Sequence, residues 1–167
     1  MRLSATLRRA AQLAPRGIAT DCDGRRRTWP ETVSRVARLA GALEGAGVRP
    51  GDRVAMLALN SDRYLEWFFA CAWAGAVFVP INTRLAPAEI EHWLSDSGSE
   101  TLFVDDAFLK VRAENAGRMG EVHRLVHVGD GPAPEGMESY EGLIEAGPEI
   151  APKDEAGGEL AGLFYTG

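Results

Sequence analysis

Residues 53–104 read RVAMLALNSDRYLEWFFACAWAGAVFVPINTRLAPAEIEHWLSDSGSETLFV, and their alternation decides the fold. Arg53 to Leu59 is a short apolar run suited to a buried strand. Asn60 or Ser61 can cap the helix that follows, which carries Tyr64, Leu65, Phe68, Cys71 and Ala72. After Gly75, Ala76 to Pro80 form a second apolar run. A further helix spans about Pro87 to Asp96, with Ile90, Trp93 and Leu94 facing inward, and Thr101 to Val104 make the next strand. Strand, helix, strand, helix, strand is the grammar of parallel βαβ units. The expected fold class is therefore α/β, with a mixed, largely parallel sheet and flanking helices.

The flanks extend the pattern. Ile18 to Asp21 and Arg25 to Thr28 surround Asp23-Gly24, a strong two-residue hairpin signal. Thr28 opens TWPE, a capping box with Glu31 three residues on and Pro30 in the first turn. Val33, Val36, Ala37, Leu39, Ala40 and Leu43 then recur at helical spacing to about Glu44, before Gly45, Gly47 and Pro50-Gly51. Downstream, Leu125 to Val128 read as a fourth strand. Residues 129–158 shift to Gly, Pro, Glu and Ala and read as an exposed connector, with a helical turn or two around Tyr140 to Ile144. Leu160 to Tyr165 read as a last strand. It runs into Thr166-Gly167, where a turn is expected to continue, so the chain reads as a piece of something larger.

Composition excludes more than it identifies. The 167 residues are enough to bury a real core, and 46% apolar with 25% charged residues exclude a disordered or collagen-like chain. A net charge of -6 argues against a general nucleic-acid binder. The charge is uneven: residues 1–84 carry 13 basic and 7 acidic groups, residues 85–167 carry 5 and 17. This asymmetry reads as two solvated surfaces of one domain or as a basic functional face. Residues 1–19 hold four Arg and no acid, like a transit peptide, yet Leu3, Leu7, Ala10, Ala11 and Ala14 fit a docked amphipathic helix. No apolar run of about 18 residues is present, so no membrane span is expected.

Cys22 and Cys71 have no neighbouring His to activate them, and unpaired thiols suit a reducing cytoplasm. His92, His123 and His127 lack the convergent partners that a metal needs, so structural or surface roles are expected and no metal site is read. GxSxG, HExxH, GxxxxGK[ST] and GxGxxG are absent. A strand followed by Thr-Gly is how phosphate cradles begin, because glycine lets backbone N–H groups approach an anion. Two residues alone read more simply as a β-turn.

Wording and order add to this. Residues 25–105, from RRRTWPETVSRVARLAGALEGAGVRPGDRVAML through GAVFVPINTRLAPAEIEHWLSDSGSETLFVD, resemble the N-terminal region of AMP-forming acyl-CoA synthetases of the adenylate-forming superfamily. The T[YW]xE helix start, GVRPGDRVA, the LxN-S helix, AGAVxVPxNxRL, the LxDSG helix and the FVD strand occur in the family's order. The resemblance covers about Leu3 to Gly167. It implies that residues 1–167 are the N-terminal portion of the large AMP-binding domain, with the rest of that domain and a small C-terminal domain lying beyond.

Phe164-Tyr165-Thr166-Gly167 matches the opening of the family's phosphate loop, so the resemblance implies that Thr166 and Gly167 line the ATP phosphates. It implies that Arg84, in Asn82-Thr83-Arg84-Leu85, meets the nucleotide phosphate of CoA, where a planar fork of donors suits the anion. Pairing with a nearby acid, or covering a loop, is the other reading of Arg84. Pro80 and Asn82 set the turn after the strand. Leu85-Ala86-Pro87 departs from the family in offering no capping hydroxyl, which leaves the start of the next helix open.

The implied activity is fatty- or aryl-acid:CoA ligation through an acyl-adenylate. ATP, Mg2+ and CoA are its cofactors, a small-molecule carboxylate is its partner, and no catalytic residue lies within this chain. The 167 residues alone are expected to be inactive. A carrier-protein-loading adenylation domain and a non-catalytic α/β ligand-binding module stay open as alternatives, as does homo-oligomerisation.

Overall fold

The computed structural model describes residues 3–114, 119–153 and 160–165. Five strands form one parallel sheet: β3 (Arg53–Leu57), β4 (Val77–Pro80), β5 (Thr101–Val104), β6 (Arg124–His127) and β7 (Glu138–Ser139), in the order β4-β3-β5-β6-β7. The hairpin β1 (Ile18–Cys22) and β2 (Arg25–Thr28) stands apart as the only antiparallel pair among the described strands. Its turn residues, Asp23 at φ 50 and Gly24 at φ 80, are both left-handed, as a two-residue hairpin of matching twist requires.

Side-chain alternation divides the core into two layers. Val54 and Met56 of β3, Phe103 of β5 and Val126 of β6 face helices α1 (Leu3–Leu13), α2 (Trp29–Gly45), α3 (Asp62–Ala74) and α6 (Tyr140–Ala146). Ala55 and Leu57, with Leu102 and Val104, point the other way, towards Ile90 and Leu94 of α4 (Pro87–Ser97) and Leu109 of α5 (Leu109–Glu114). Both faces of the sheet are covered, which is why its strands read as unbroken apolar runs. α1 docks through Leu7, 1% exposed, as its helical spacing predicts.

The helix starts follow local chemistry. At α2 the Thr28 hydroxyl accepts from the Glu31 N–H at 3.4 Å, and the Glu31 carboxylate accepts from the Thr28 N–H at 2.7 Å. At α4 Ala86 has no hydroxyl to offer. The Glu89 carboxylate reaches back to the Ala86 N–H at 2.8 Å and supplies half of the box, so the helix begins at Pro87 all the same. Among the described residues no helix is long and apolar enough to cross a membrane.

Some elements depart from the sequence reading. β3 stops at Leu57 instead of Leu59; the Leu59 N–H leaves the ladder and donates to Asp105 Oδ2 at 2.6 Å. The short helix α5, the 3-10 turn Asp106–Phe108 and the two-residue β7 were not foreseen. The expected strand over Leu160 to Tyr165 is reduced to a single parallel bridge between Phe78 and Gly162. Phe78 N–H donates to the Ala161 carbonyl and Leu163 N–H to the Phe78 carbonyl, each at 3.0 Å. With pairing limited to the positions around Phe78, the segment lies along the outer edge of β4 without becoming a ladder.

After α6 the chain crosses α2 closely. A Cβ at Gly41, which is buried in α2, would run into the Pro148 carbonyl oxygen. Gly41→Ala is expected to lower stability by about 1–3 kcal/mol, because overpacking against backbone outweighs the roughly 1 kcal/mol gain in helix propensity. The urea midpoint measures it; an unchanged or higher midpoint would show that the crossing can move aside.

Candidate functional site

Adjacent strands β3 and β4 send their chains to opposite faces, β3 to α3 and β4 to α4, and such departures open a crevice at the carboxyl ends of a parallel sheet. A cleft of about 360 Å³ lies there, lined among others by Asn60, Tyr64, Asn82, Thr83, Trp93 and Tyr165. Each wall has a local cause. Ser61 caps α3 by accepting from the Tyr64 N–H at 3.2 Å, which starts the helix at the rim of the cleft. The Asn82 side chain accepts from the Arg84 N–H at 3.0 Å, a tight local turn that brings the chain off β4 as the residue types predicted.

Arg84 follows Thr83, a residue of the cleft wall, and is exposed without being part of that wall. Its guanidinium pairs with no acid among the described residues, so the ion-pair reading is not realised here. Tyr165 closes the opposite side. Its ring stacks on Trp93 with centroids 4.7 Å apart and planes 21° apart, and its hydroxyl donates to Asp96 Oδ2 at 2.7 Å. Burial and the Asp96 hydrogen bond push that hydroxyl up to about 12. Phe164 meets Phe78 edge to face at 5.7 Å. Thr166 and Gly167 lie outside the described residues.

The structure thus brings Tyr165 to one cleft with Asn60, Tyr64 and Trp93, which sequence reasoning had treated as cap or packing residues, and leaves Arg84 one residue past the Thr83 wall. Trp93 does both: it packs on the layer beneath α4 and lines the cleft. Its helical phase marked it as inward-facing, and only its neighbours in space reveal the second role.

A second constellation escaped the sequence reading entirely. Asp62 receives Arg25 at 3.0 Å and also Arg27, while Glu66 receives Arg35 at 2.7 Å and the Tyr140 hydroxyl at 2.9 Å. Arg35 and Arg63 share Glu141, at 2.8 and 2.9 Å, and Arg63 and Arg25 share Asp130, at 2.7 and 3.1 Å. Asp62 and Glu66 are almost fully buried, so these charges are matched inside the protein. Of the acids, Asp62 and Glu66 belong to the basic half itself, and Asp130 and Glu141 to the acidic half. Neither two solvated surfaces nor a basic functional face describes this set. Strand spacing at Arg25 and Arg27, and helical spacing at Asp62 and Glu66, were the available signals.

Burial pushes the Asp62 carboxyl up, but the hydrogen bonds from Arg25 and Arg27 outweigh it and hold it at about 2, against 3.8 ordinarily. A lowered native value means that the charged form stabilises the fold above about pH 4, and that this contribution drains away as pH falls through 2. It amounts to about 2 kcal/mol. Glu141 is shifted in the same direction: burial raises it, and Arg35 and Arg63 lower it further. Stability of the wild type should accordingly fall more steeply between pH 4 and 2 than that of Asp62→Asn, measured by urea unfolding. Equal pH slopes would overturn this.

The remaining candidates are structural. His127 is 2% exposed and hydrogen-bonds Asp106 at 2.7 Å, whereas His92 and His123 are exposed. Both cysteines are free thiols, and burial raises that of Cys71 far above the usual range. Among the described residues no three His, Cys, Asp or Glu side chains converge as a metal site would need.

Comparison with known proteins completes the picture. The family model for AMP-binding enzymes matches residues 7–167. A feruloyl-CoA synthase of Amycolatopsis is 52% identical over 94 residues, which are 56% of this chain and 19% of that protein. The fatty acid–[acyl-carrier-protein] ligase ScoC of Streptomyces coeruleorubidus is 45% identical over 98 residues, 59% of this chain and 19% of that protein. Among solved structures, a fatty acyl CoA synthetase of Mycobacterium tuberculosis superposes with a TM-score of 0.84 at 30% identity, over 99% of this chain and 32% of that one. The matched stretch is about a fifth of the length of the two curated relatives.

Proposed function

Because the chain belongs to the family of AMP-binding enzymes, we propose that it is the N-terminal part of an AMP-forming acid–thiol ligase that converts a carboxylic acid to its CoA thioester. The observation that supports this most is the cleft at the carboxyl ends of β3 and β4, walled by Asn82 and Thr83 just before Arg84 and by Tyr165.

On this reading a carboxylate oxygen of the substrate attacks the α-phosphorus of ATP. The bond to the bridging oxygen breaks, and pyrophosphate leaves. The CoA thiolate then attacks the acyl carbon, and AMP departs with the C–O bond electrons. Thr166 and Gly167 present backbone N–H groups to the ATP phosphates, where donors aimed at developing charge contribute most. Arg84, extended into solvent and free of a competing acid, meets a phosphate of CoA. Mg2+, when bound to the nucleotide, neutralises phosphate charge; the described residues of this chain offer it no cage. The groups that complete catalysis belong to the rest of the ligase, and the two free thiols suit a cytoplasmic enzyme.

Pyrophosphate exchange by the full-length ligase, run with a panel of aryl and fatty acids, tests the first step. Exchange is expected with at least one acid, and none is expected from the 167-residue chain alone. Arg84→Ala should raise the KM for CoA about tenfold and leave exchange unaltered. Exchange by the isolated chain, or none by the full-length protein, would overturn the reading. Similarity to the carrier-protein ligase favours one further reading, in which the acyl acceptor is a carrier-bound thiol. Its signature is thioester formation on a carrier protein but not on free CoA.

A further inference from the structure

We infer that helix α4 sets the entry to the phosphate loop, with Trp93 and Asp96 holding Tyr165 as a positioning residue one place before Thr166. This rests on the ligase reading above. The geometry is specific. Trp93 and Asp96 are three residues apart on α4, so both reach the same side of the helix. One stacks on the Tyr165 ring at 4.7 Å and the other accepts from its hydroxyl at 2.7 Å.

Backbone pairing cannot do this work. In segment 160–165 the hydrogen bonds to β4 run only to Ala161 and from Leu163. Beyond Leu163 the described ties are side-chain ones: Phe164 on Phe78, and Tyr165 on α4. The last of these holds Tyr165, the residue that precedes Thr166. Burial and Asp96 keep the Tyr165 hydroxyl protonated through the working pH range, so the donor is always present. The same helix begins three residues after Arg84, at Pro87 with its cap at Ala86. The candidate CoA contact therefore lies just before the helix whose inner side holds Tyr165, the residue next to the candidate ATP contact.

The test uses the full-length ligase with Tyr165→Phe, Asp96→Ala and Asp96→Asn. Tyr165→Phe keeps the ring stack and loses the hydroxyl, and Asp96→Ala removes the acceptor. Each should raise the KM for ATP in pyrophosphate exchange about tenfold while the KM for CoA stays within about twofold. Asp96→Asn retains an acceptor oxygen and should restore ATP affinity to near wild type. The double variant Tyr165→Phe with Asp96→Ala should be no worse than either single one, since both remove one bond.

A merely structural role would move both KM values and the melting temperature together. Unchanged ATP KM in the single variants of an active ligase would overturn the positioning role alone. A full-length wild type without exchange activity would overturn the ligase reading and this inference with it.

Discussion

Glu66→Ala is expected to cost about 3–5 kcal/mol of folding stability. Glu66 is 0% exposed and accepts from Arg35 at 2.7 and 3.0 Å and from the Tyr140 hydroxyl at 2.9 Å. Truncation leaves a half-buried guanidinium with Glu141 as its remaining partner, and a buried phenol without its carboxylate acceptor. The loss is set by the groups left behind more than by the pair itself. Replacing Arg35 and Glu66 together by apolar residues of similar size should recover much of it. Urea unfolding of the single and double variants measures both. A Glu66→Ala loss below about 1 kcal/mol would show that water or a shifted side chain reaches the vacated site.

The next residue along α3 makes the opposite experiment. Trp67 is fully buried between Tyr64, 5.3 Å away edge to face, and Phe78 at 6.3 Å. Trp67→Ala should cost about 3–5 kcal/mol through the cavity alone. Trp67→Phe should cost much less. The indole N–H is buried without a hydrogen-bond partner among the described residues, so its removal refunds part of the lost packing. Thermal unfolding of the two variants decides the matter. Equal losses would mean that the N–H makes no unfavourable contribution.

Periodicity explains why so much of the fold could be read in advance. Val54, Met56, Phe103 and Val126 alternate with Ala55, Leu57, Leu102 and Val104 because both faces of a parallel sheet are covered, and that shows as unbroken apolar runs. Caps were legible for the same local reason: Thr28 with Glu31 and Gly75 with its φ of 75 act within a few residues. What stayed hidden was non-local. β7 owes its two residues to β6, and segment 160–165 owes its position to Phe78, Trp93 and Asp96. The guanidinium–carboxylate network joins partners up to 106 positions apart, and no window of sequence contains it. At the candidate site, Arg84 and the approach to Thr166 came from motif wording. Asn60, Tyr64 and Trp93 became cleft walls only once β3, β4 and α4 were set side by side.

That network is also completed in the order of synthesis. The hairpin, α2 and α3 emerge from the ribosome first, carrying Arg25, Arg27, Arg35 and Arg63 with only Asp62 and Glu66 to receive them. Asp130 and Glu141, the carboxylates that Arg63 meets, are made later. Until then Arg63 has neither of its carboxylates and Tyr140, which closes over Glu66, has not been made. The network is thus closed only once residues 130–141 join the α2–α3 pair, which ties the N-terminal elements to the segment after β6.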